Sequence, residues 1–351
     1  MITKYPIVTI ILPVKNERQY ITSTLNSIFN QNYPENKIEL LIADGCSTDG
    51  TTEIIKNFQK DHLNIKLFEN FGEIVSEGFN IALSKSIGEY ILRIDGHSEI
   101  PPNYLKNCIE LIIKEKFDIV GGCIETLSSG IVGNAISITQ SSLFGVGGVK
   151  FRNSQQSKAG FVDTLAFGVH KRELFSELGG YDEEMIFNQD DEFNFRVTQT
   201  GKKIWMDPAL KTKYFARSSY KKLFKQYFNY GLYKVRGFQK RGRIFSIRHL
   251  IPALFIGSLL SFYLIGYLYD QFLPFIILLI TYLIFNIINS IVQSTSYLLI
   301  PFIFISFCVL HISYGTGFIW GLLKFSHKWS DKELKDYHFN KKYFMNNNNL
   351  K

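Results

Sequence analysis

Two short acidic motifs in this sequence have residue types and spacing suited to chemistry on a phosphorylated substrate. Asp95-Gly-His97 places a carboxylate and an imidazole two residues apart. Mg²⁺ and Mn²⁺ usually bind through a few protein groups together with substrate phosphates, so this pair could hold a divalent ion against a diphosphate. Asp190-Asp191-Glu192 gives three consecutive carboxylates. A carboxylate that deprotonates an attacking hydroxyl contributes about 10² to 10⁴ in rate.

Taken separately, neither motif decides a function. An Asp that caps a turn and a surface His would also produce Asp-x-His, and short motifs often match by chance. An acidic run at the start of a helix is common, because carboxylates there interact favourably with the helix dipole. The positions of the motifs in the fold therefore carry the argument.

The first 116 residues alternate short apolar runs with amphipathic stretches. Such alternation predicts a parallel sheet covered by helices on both faces. The predicted strands cover residues 7–13, 38–43, 65–68 and 89–95, and the predicted helices cover 17–31, 51–60, 74–86 and 101–116.

Polar residues follow three of these four strands. They are Lys15-Asn16-Glu17, Asp44-Gly45 and Asp95-Gly96-His97. Ligands of open parallel sheets bind beyond the carboxyl ends of the strands. We therefore expect these polar groups to converge at one edge of the sheet.

Beyond residue 124 the pattern becomes irregular and rich in glycine. It predicts a loop over 144–152, a strand over 161–170, a short helix over 171–178 and a helix over 188–200 that starts with the acidic run.

The C-terminal part is suited to a membrane. Between His249 and Leu323 the only formal charge is Asp270. The stretch divides into helices over 250–269, 272–292 and 297–323, each long enough at about 20 residues to cross the hydrocarbon core. Three spans would put the lysines after 323 opposite the basic segment, against the positive-inside rule. The third helix, which contains Gly315, Gly317, Gly321 and His311, is therefore the candidate for a re-entrant or interfacial segment.

Positive charge is concentrated just before the apolar helices. Ten Lys and Arg residues and no acidic residue lie between Arg217 and Arg248, and this exceeds the net charge of +8 for the whole chain. Such a segment fits the anionic cytoplasmic face of a membrane. Nucleic-acid binding is the alternative, but no nucleic-acid fold signature accompanies the charge. The expected partners thus include a membrane and no nucleic acid.

These features predict four segments: a catalytic domain over 1–215, a basic amphipathic membrane-proximal segment over 216–248, two to three transmembrane helices over 249–323, and a polar tail over 324–351.

The four cysteines show neither metal-ligand spacing nor a disulfide framework, and the N-terminus reads directly into a strand without a signal peptide.

Four motifs occur together in a characteristic order. They are the opening Val-Thr-Ile-Ile-Leu-Pro-Val-Lys-Asn-Glu17, then Ile42-Ala-Asp-Gly-Cys-Ser-Thr-Asp-Gly-Thr51, Arg93-Ile-Asp-Gly-His-Ser-Glu-Ile-Pro-Pro102 and Gly179-Gly-Tyr-Asp-Glu…Asn-Gln-Asp-Asp-Glu-Phe-Asn-Phe-Arg196. Over about residues 7 to 240 the chain resembles family-two inverting glycosyltransferases with the GT-A fold. It is most similar to the membrane-bound chain-extending enzymes of succinoglycan-type exopolysaccharide synthesis.

The resemblance implies a role for each matching position. Pro13, Glu17 and Asp44 resemble positions that hold the nucleobase and ribose. Asp95 matches the metal-binding carboxylate, and it also stands beside the nucleotide-sugar. His97 replaces the second Asp of most relatives, which leaves open whether the divalent metal is Mn²⁺ or Mg²⁺.

The family's catalytic base corresponds to Asp190, with Asp191 as the alternative because the acidic run leaves the register open. Gln226 and Arg236 match a segment near the diphosphate and acceptor. The Gln-x-x-Arg-Trp signature of processive synthases is absent, so single-sugar transfer is favoured over polymerisation.

The resemblance thus implies an inverting hexosyltransferase that moves sugar from a nucleotide-diphosphate sugar, by family tendency a UDP-sugar, to a lipid-linked saccharide. It implies a location at the cell inner (cytoplasmic) membrane, with the catalytic domain on the cytoplasmic side. Direct transfer to a polyprenyl phosphate is the alternative. A sugar nucleotidyltransferase is disfavoured because no Gly-rich loop follows the first strand. A non-catalytic membrane scaffold is disfavoured because Asp44, Asp95 and Asp190 are all present.

Overall fold

The computed structural model describes residues 5–152, 157–216, 218–243 and 246–330. Within these ranges the chain forms two compact units. The first contains the described residues up to Glu125 and from 157 to Tyr214, and the second contains Thr126 to 152 and the described residues from Phe215 to 330. Residues 126–152 thus group with the C-terminal helices, although the sequence pattern assigned them to the catalytic domain. Residues 331–351 of the predicted tail lie outside the described part of the chain.

Nine strands of the described residues form one sheet in the order β3-β2-β1-β4-β8-β6-β9-β5, and β7 pairs with β9. The strands are β1 (Val8–Val14), β2 (Ile38–Asp44), β3 (Ile65–Glu69), β4 (Tyr90–Arg93), β5 (Ser98–Glu99), β6 (Ile119–Leu127), β7 (Gly160–Phe161), β8 (Val169–Lys171) and β9 (Ile204–Phe215). The predicted strand over 161–170 is in fact two short strands, β7 and β8, separated by a loop.

The sheet is parallel at one side and antiparallel at the other. Strands β1 to β4 are parallel, with Val14 opposite Asp44 in the β1–β2 register. Every residue of β1 and β2 is buried, as expected of strands covered on both faces. β8 pairs antiparallel with both β4 and β6. This mixed sheet extends the parallel one expected from the alternating pattern.

The helices of the first unit are α1 (Ile21–Phe29), α2 (Thr51–Asp61), α3 (Val75–Lys85), α4 (Tyr104–Glu115), α7 (Arg172–Leu178) and α8 (Gln189–Gln199). All six were predicted from the sequence pattern to within four residues at each end. α1 buries Ile21, Leu25 and Ile28 on one face, which is the helical spacing that the sequence displays.

The second unit is helical. Its members are α5 (Gly130–Ser141), α6 (Leu143–Val146), α9 (Tyr220–Arg241), α10 (Ile251–Tyr269), α11 (Leu273–Gln293) and α12 (Ile300–Lys324). The loop predicted over 144–152 instead contains α6 and a 3₁₀ turn at Lys150–Arg152. Ser142 caps α6 by accepting a hydrogen bond from Gly145 N at 3.0 Å, a local signal that the glycine-rich composition concealed.

Among the described residues, three helices are long and apolar enough to cross a membrane: 247–269, 273–293 and 297–324. Their bounds agree with the predicted apolar helices. α12 packs against α5, α9, α10 and α11. The interior of this unit is apolar, with Leu223, Tyr227 and Leu310 in one cluster and Val235, Phe238 and Phe318 in another.

Candidate active site

Asp44 is the last residue of β2 and is nearly inaccessible to solvent. Its Oδ1 accepts hydrogen bonds from Ser47 N at 3.2 Å and Ser47 Oγ at 2.5 Å, and its Oδ2 accepts one from Thr52 Oγ1 at 2.6 Å. These three bonds fix the carboxylate at the carboxyl edge of the sheet.

The loops after β1 and β2 are bonded to each other. Asn16 N donates to Ser47 Oγ at 2.9 Å, and Thr48 N donates to Asn16 Oδ1 at 2.8 Å. Asn16 has a φ of 56°, a left-handed conformation that asparagine adopts more readily than most residues. Pro13 is buried within β1 opposite Ala43. The two loops therefore form one rigid wall next to Asp44.

Glu17 connects that wall to the Asp95-Gly-His97 motif. Its backbone N donates to Thr51 Oγ1 at 2.8 Å, and its Oε1 lies 2.8 Å from His97 Nδ1. At Gly96 a Cβ atom would lie 2.8 Å from Glu17 Cγ, so only glycine allows this close approach. The Glu17 carboxylate thus contacts the His97 imidazole, and the role of Glu17 at the nucleoside stays a prediction.

Arg93 links the two acidic motifs. It is the last residue of β4 and is almost completely buried. Its Nη2 donates to Asp95 Oδ1, and its Nη1 lies 3.8 Å from Asp190 Oδ2. One guanidinium therefore connects the predicted metal-binding carboxylate with the predicted base.

Asp190 occupies the first turn of α8, and its side chain is 29% exposed. Its Oδ1 accepts a hydrogen bond from Asp191 N at 2.9 Å. Burial raises the pKa of the Asp190 carboxyl above its usual range, while the positive charge of Arg93 opposes the shift and the Asp191 carboxylate adds to it. A partly exposed carboxyl with a raised pKa is suited to accepting a proton from a substrate.

The third acid of the run has a structural role. Glu192 is fully buried and forms a two-pronged ion pair with Arg196, at 2.8 Å to Nε and 2.9 Å to Nη2. Arg196 also donates to the carbonyl oxygens of Leu178 and Gly180. Glu192 is thereby committed to packing, which leaves Asp190 and Asp191 as the acids of the run available for chemistry.

Asp95 and His97 suit a divalent ion that is completed by a substrate diphosphate. With Glu17 at Nδ1, the imidazole is oriented by a carboxylate, as metal-ligating histidines usually are, and Nε2 is the nitrogen left to coordinate. In the described residues no three His, Cys, Asp or Glu side chains form a metal cluster.

Two predicted site residues belong to the second unit. Gln226 donates from Nε2 to Tyr230 OH at 2.8 Å, and Arg236 is buried on α9. Their roles at the nucleotide sugar stay predictions, as do those of Pro13, Asp44 and the catalytic residues.

Residues 9–178 match the model of a known family, "Glycosyl transferase family 2". A glycosyltransferase of Methanococcus voltae, dolichyl N-acetyl-alpha-D-glucosaminyl phosphate 3-beta-D-2,3-diacetamido-2,3-dideoxy-beta-D-glucuronosyltransferase, is 33% identical over 327 residues, 90% of this chain and 97% of the relative. The chain belongs to glycosyl transferase family 2. The succinoglycan biosynthesis protein ExoA of Rhizobium meliloti is 29% identical over 69% of this chain and 73% of its own length.

Solved glycosyltransferase structures share the fold of this chain. The mannosyltransferase PcManGT of Pyrobaculum calidifontis, in complex with GDP-Man and Mn²⁺, superimposes with a TM-score of 0.60 at 19% identity, covering 89% of this chain and 88% of its own. Residues 1–349 of TarS from S. aureus give a TM-score of 0.53 at 19% identity over 89% and 90% of the two chains. The chain is a glycosyltransferase of the GT-A fold, and its resemblance to that family is confirmed.

Arg93 is the site residue that sequence reasoning missed. Its signal was present, since an arginine that ends an otherwise apolar strand two residues before Asp95 must find a buried partner. One partner, Asp95, is two residues away, but the second, Asp190, could not be read from the sequence because it lies 97 positions further along the chain.

Proposed function

We propose that this glycosyltransferase transfers a sugar from a UDP-sugar to a lipid-linked saccharide, with inversion at the anomeric carbon. The observation that carries the proposal is the position of Arg93 between Asp95 and Asp190, because it brings the carboxylate proposed for the diphosphate within one guanidinium of the proposed base. A donor diphosphate and an acceptor hydroxyl could therefore meet at this edge of the sheet.

The hydrogen bonds of Asp44 support uracil as the base. A carboxylate has about four lone-pair sites. Three are engaged by Ser47 N, Ser47 Oγ and Thr52 Oγ1. The remaining site suits a base that presents one N–H on its pairing edge, as uracil does, better than guanine, which presents an N–H and an adjacent amino group.

The protein groups at the diphosphate would be Asp95 and His97, with Glu17 fixing the imidazole. A divalent ion held by these residues, Mn²⁺ or Mg²⁺, would offset the charge that develops on the departing nucleoside diphosphate. Arg93, which is permanently charged, would balance part of the negative charge of the surrounding carboxylates before substrate binds.

Asp190 is the proposed base. It accepts the proton of the acceptor hydroxyl as that oxygen attacks the anomeric carbon, while the bond from that carbon to the diphosphate breaks on the opposite face. Asp191 is the alternative, and the contact of Asp190 with Arg93, which also binds Asp95, supports Asp190.

The acceptor is proposed from two independent features. The Methanococcus relative is named for a dolichyl-phosphate-linked sugar and the Rhizobium relative for exopolysaccharide synthesis. The apolar helices suit a substrate presented at the membrane. We infer a lipid-linked saccharide at the cytoplasmic side of the cell inner membrane, and direct transfer to a polyprenyl phosphate is the second possibility.

The test is transfer by purified full-length protein in lipid vesicles. Nucleotide sugars are screened one at a time against a polyprenyl-diphosphate monosaccharide and a bare polyprenyl phosphate, and the lipid product is weighed by mass spectrometry. Asp190→Asn should abolish transfer and leave donor binding nearly intact, whereas the matched Asp191→Asn should keep most activity. Reversal of that pair would move the base to Asp191. Chelator should suppress transfer, and unchanged turnover in chelator would refute the metal.

A further inference from the structure

The apolar helix α12 is paired along its whole length with the basic helix α9. Tyr220 OH donates to Phe302 O at 3.0 Å near the start of both helices, and Gln239 Nε2 donates to Phe325 O at 2.9 Å near their ends. Between these bonds a Cβ added at Gly231 would lie 2.1 Å from Tyr314 O. The contacts advance together along both chains, so the two helices run in the same direction.

The sequence of α9 cannot enter the hydrocarbon core. Its 22 residues include seven Lys and Arg and no acid. Charged side chains are expensive at membrane depth and almost always face a protein interior or water there. Lys221, Lys222 and Lys225 are exposed in the first two turns, the part that runs beside the start of α12. If α12 crossed the bilayer, the basic helix α9 would enter the hydrocarbon core beside it, and these exposed lysines would lie at its point of entry.

A second neighbour of α12 is too short to cross. α5 has 12 residues and is therefore about 18 Å long, against a core of roughly 30 Å. Ala135 of α5 packs with Ile303 and Phe307 of α12. α12 thus packs against both a charged helix and a helix too short to span.

One side of α12 nevertheless faces outward and is apolar. Ile305, Ile312, Trp320 and Leu323 are all exposed, and they recur at helical spacing. An apolar stripe on one side and a basic partner helix are the features of helices that lie in the membrane interface, where the apolar face enters the headgroup boundary and lysines meet anionic lipid.

The hairpin of α10 and α11 has the opposite character. Its contacts with α12 extend from the open-end third of α11, where Asn286 Nδ2 donates to Phe304 O at 3.2 Å, to the middle of that helix, where Tyr282 OH lies 3.1 Å from His311 Nδ1. The legs have 19 and 21 residues, about 28 and 32 Å long, which matches the core thickness. At the far tip are Asp270 and three exposed aromatics, Tyr267, Tyr269 and Phe272, in keeping with an aromatic belt at the other interface.

We propose that α12 is a membrane-surface helix that lies with α9 in the interface of an anionic bilayer, and that the α10–α11 hairpin alone crosses. The catalytic unit and the chain after α12 then lie on the same side, so Lys324 and Lys328 obey the positive-inside rule. This inference rests on the proposed membrane location and not on the proposed chemistry, and its tests read labelling and depth rather than sugar transfer.

The first test maps sides with a membrane-impermeant maleimide on full-length protein in vesicles of known orientation. Ser326→Cys follows α12, Gln271→Cys marks the hairpin tip, and the native exposed Cys46 reports the catalytic side. Peptide mass spectrometry separates the sites. Ser326→Cys should be labelled in the same vesicles as Cys46, and Gln271→Cys in the opposite ones. Labelling of Ser326→Cys from the same side as Gln271→Cys would mean three spans and would overturn the proposal. Labelling of Gln271→Cys from the same side as Cys46 would also overturn it, because the hairpin would then not cross.

The second test measures depth. A fluorophore on Ile312→Cys, midway along α12, is compared with the matched position Ile277→Cys on the hairpin, using lipids brominated near the headgroup or near the chain end. Both side chains are exposed apolar positions. Ile312→Cys should be quenched more by shallow bromines and Ile277→Cys more by deep ones. Equal depth at the two positions would contradict an interfacial α12.

Discussion

Replacing Arg93 by Met should move the pH dependence of transfer. In the folded protein the guanidinium lies 3.8 Å from Asp190 Oδ2 and lowers the pKa of that carboxyl, against the burial that raises it. Removing the positive charge removes the opposing effect, so the pKa of Asp190 rises. A base must be ionised to act, so the acidic limb of the kcat/KM profile should move to higher pH.

The size of the shift follows from the separation of the two charges. At 3.8 Å two unit charges interact by about 1.1 kcal/mol with the dielectric constant of water and about 4.4 kcal/mol with an effective value of 20. These energies correspond to roughly one to three pH units. Because the Asp190 side chain is 29% exposed, solvent screening favours the lower end, about one pH unit.

The assay is initial-rate transfer from pH 5 to 9 at saturating metal, on wild type, Arg93→Met and Arg93→Lys. The lysine variant keeps the charge and should retain most of the wild-type profile, although it loses the planar fork. Circular dichroism of each variant checks folding, since removal of one partner of a buried charged group destabilises a protein. A folded, active Arg93→Met enzyme with an unmoved acidic limb would refute the electrostatic role of Arg93.

Three further outcomes are expected. Glu17→Ala, which removes the partner of His97, should raise the Mn²⁺ concentration for half-maximal turnover about 10- to 100-fold, and an unchanged metal titration would argue against the imidazole as ligand. Burial lowers the pKa of His170 to about 4, below the value of about 6.5 in the unfolded chain. The free energy of unfolding should therefore fall as pH drops from about 6.5 towards 4, by up to about 1.4 kcal/mol per pH unit. Thermal melts of His170→Phe should show a flatter dependence of stability on pH. Glu192→Gln leaves Arg196 buried without its carboxylate and should cost about 3 to 5 kcal/mol of stability, so a melting temperature equal to wild type would contradict a structural ion pair.

Sequence periodicity was sufficient for the elements that position the site. β1 and β2 are short, fully buried and mostly apolar strands. Asp44 ends β2 and Asn16 follows β1, at the sheet edge where parallel topology predicts ligands. The family resemblance added the roles proposed for Asp95 and Asp190, which spacing alone left ambiguous.

Contacts between distant segments could not be predicted in the same way. Glu17 meets His97 across 80 positions and Arg93 meets Asp190 across 97, and no local pattern encodes either pair. The strands β7 and β8 have two and three residues, too short to show the alternation that identifies longer strands. The choice between Asp190 and Glu192 also depended on burial, since the sequence presents three similar acids in a row.

The clamp made by Arg196 has a consequence for the timing of the reaction. Its guanidinium joins Glu192 to the carbonyls of Leu178 and Gly180, so the first turn of α8 and the preceding bend move as one body. Asp190, the proposed base, is carried on that body and would need no ordering when an acceptor arrives, which would spare the enzyme an entropic cost in each turnover. Discrimination among acceptors by conformational closure would then have to come from segments outside this clamp.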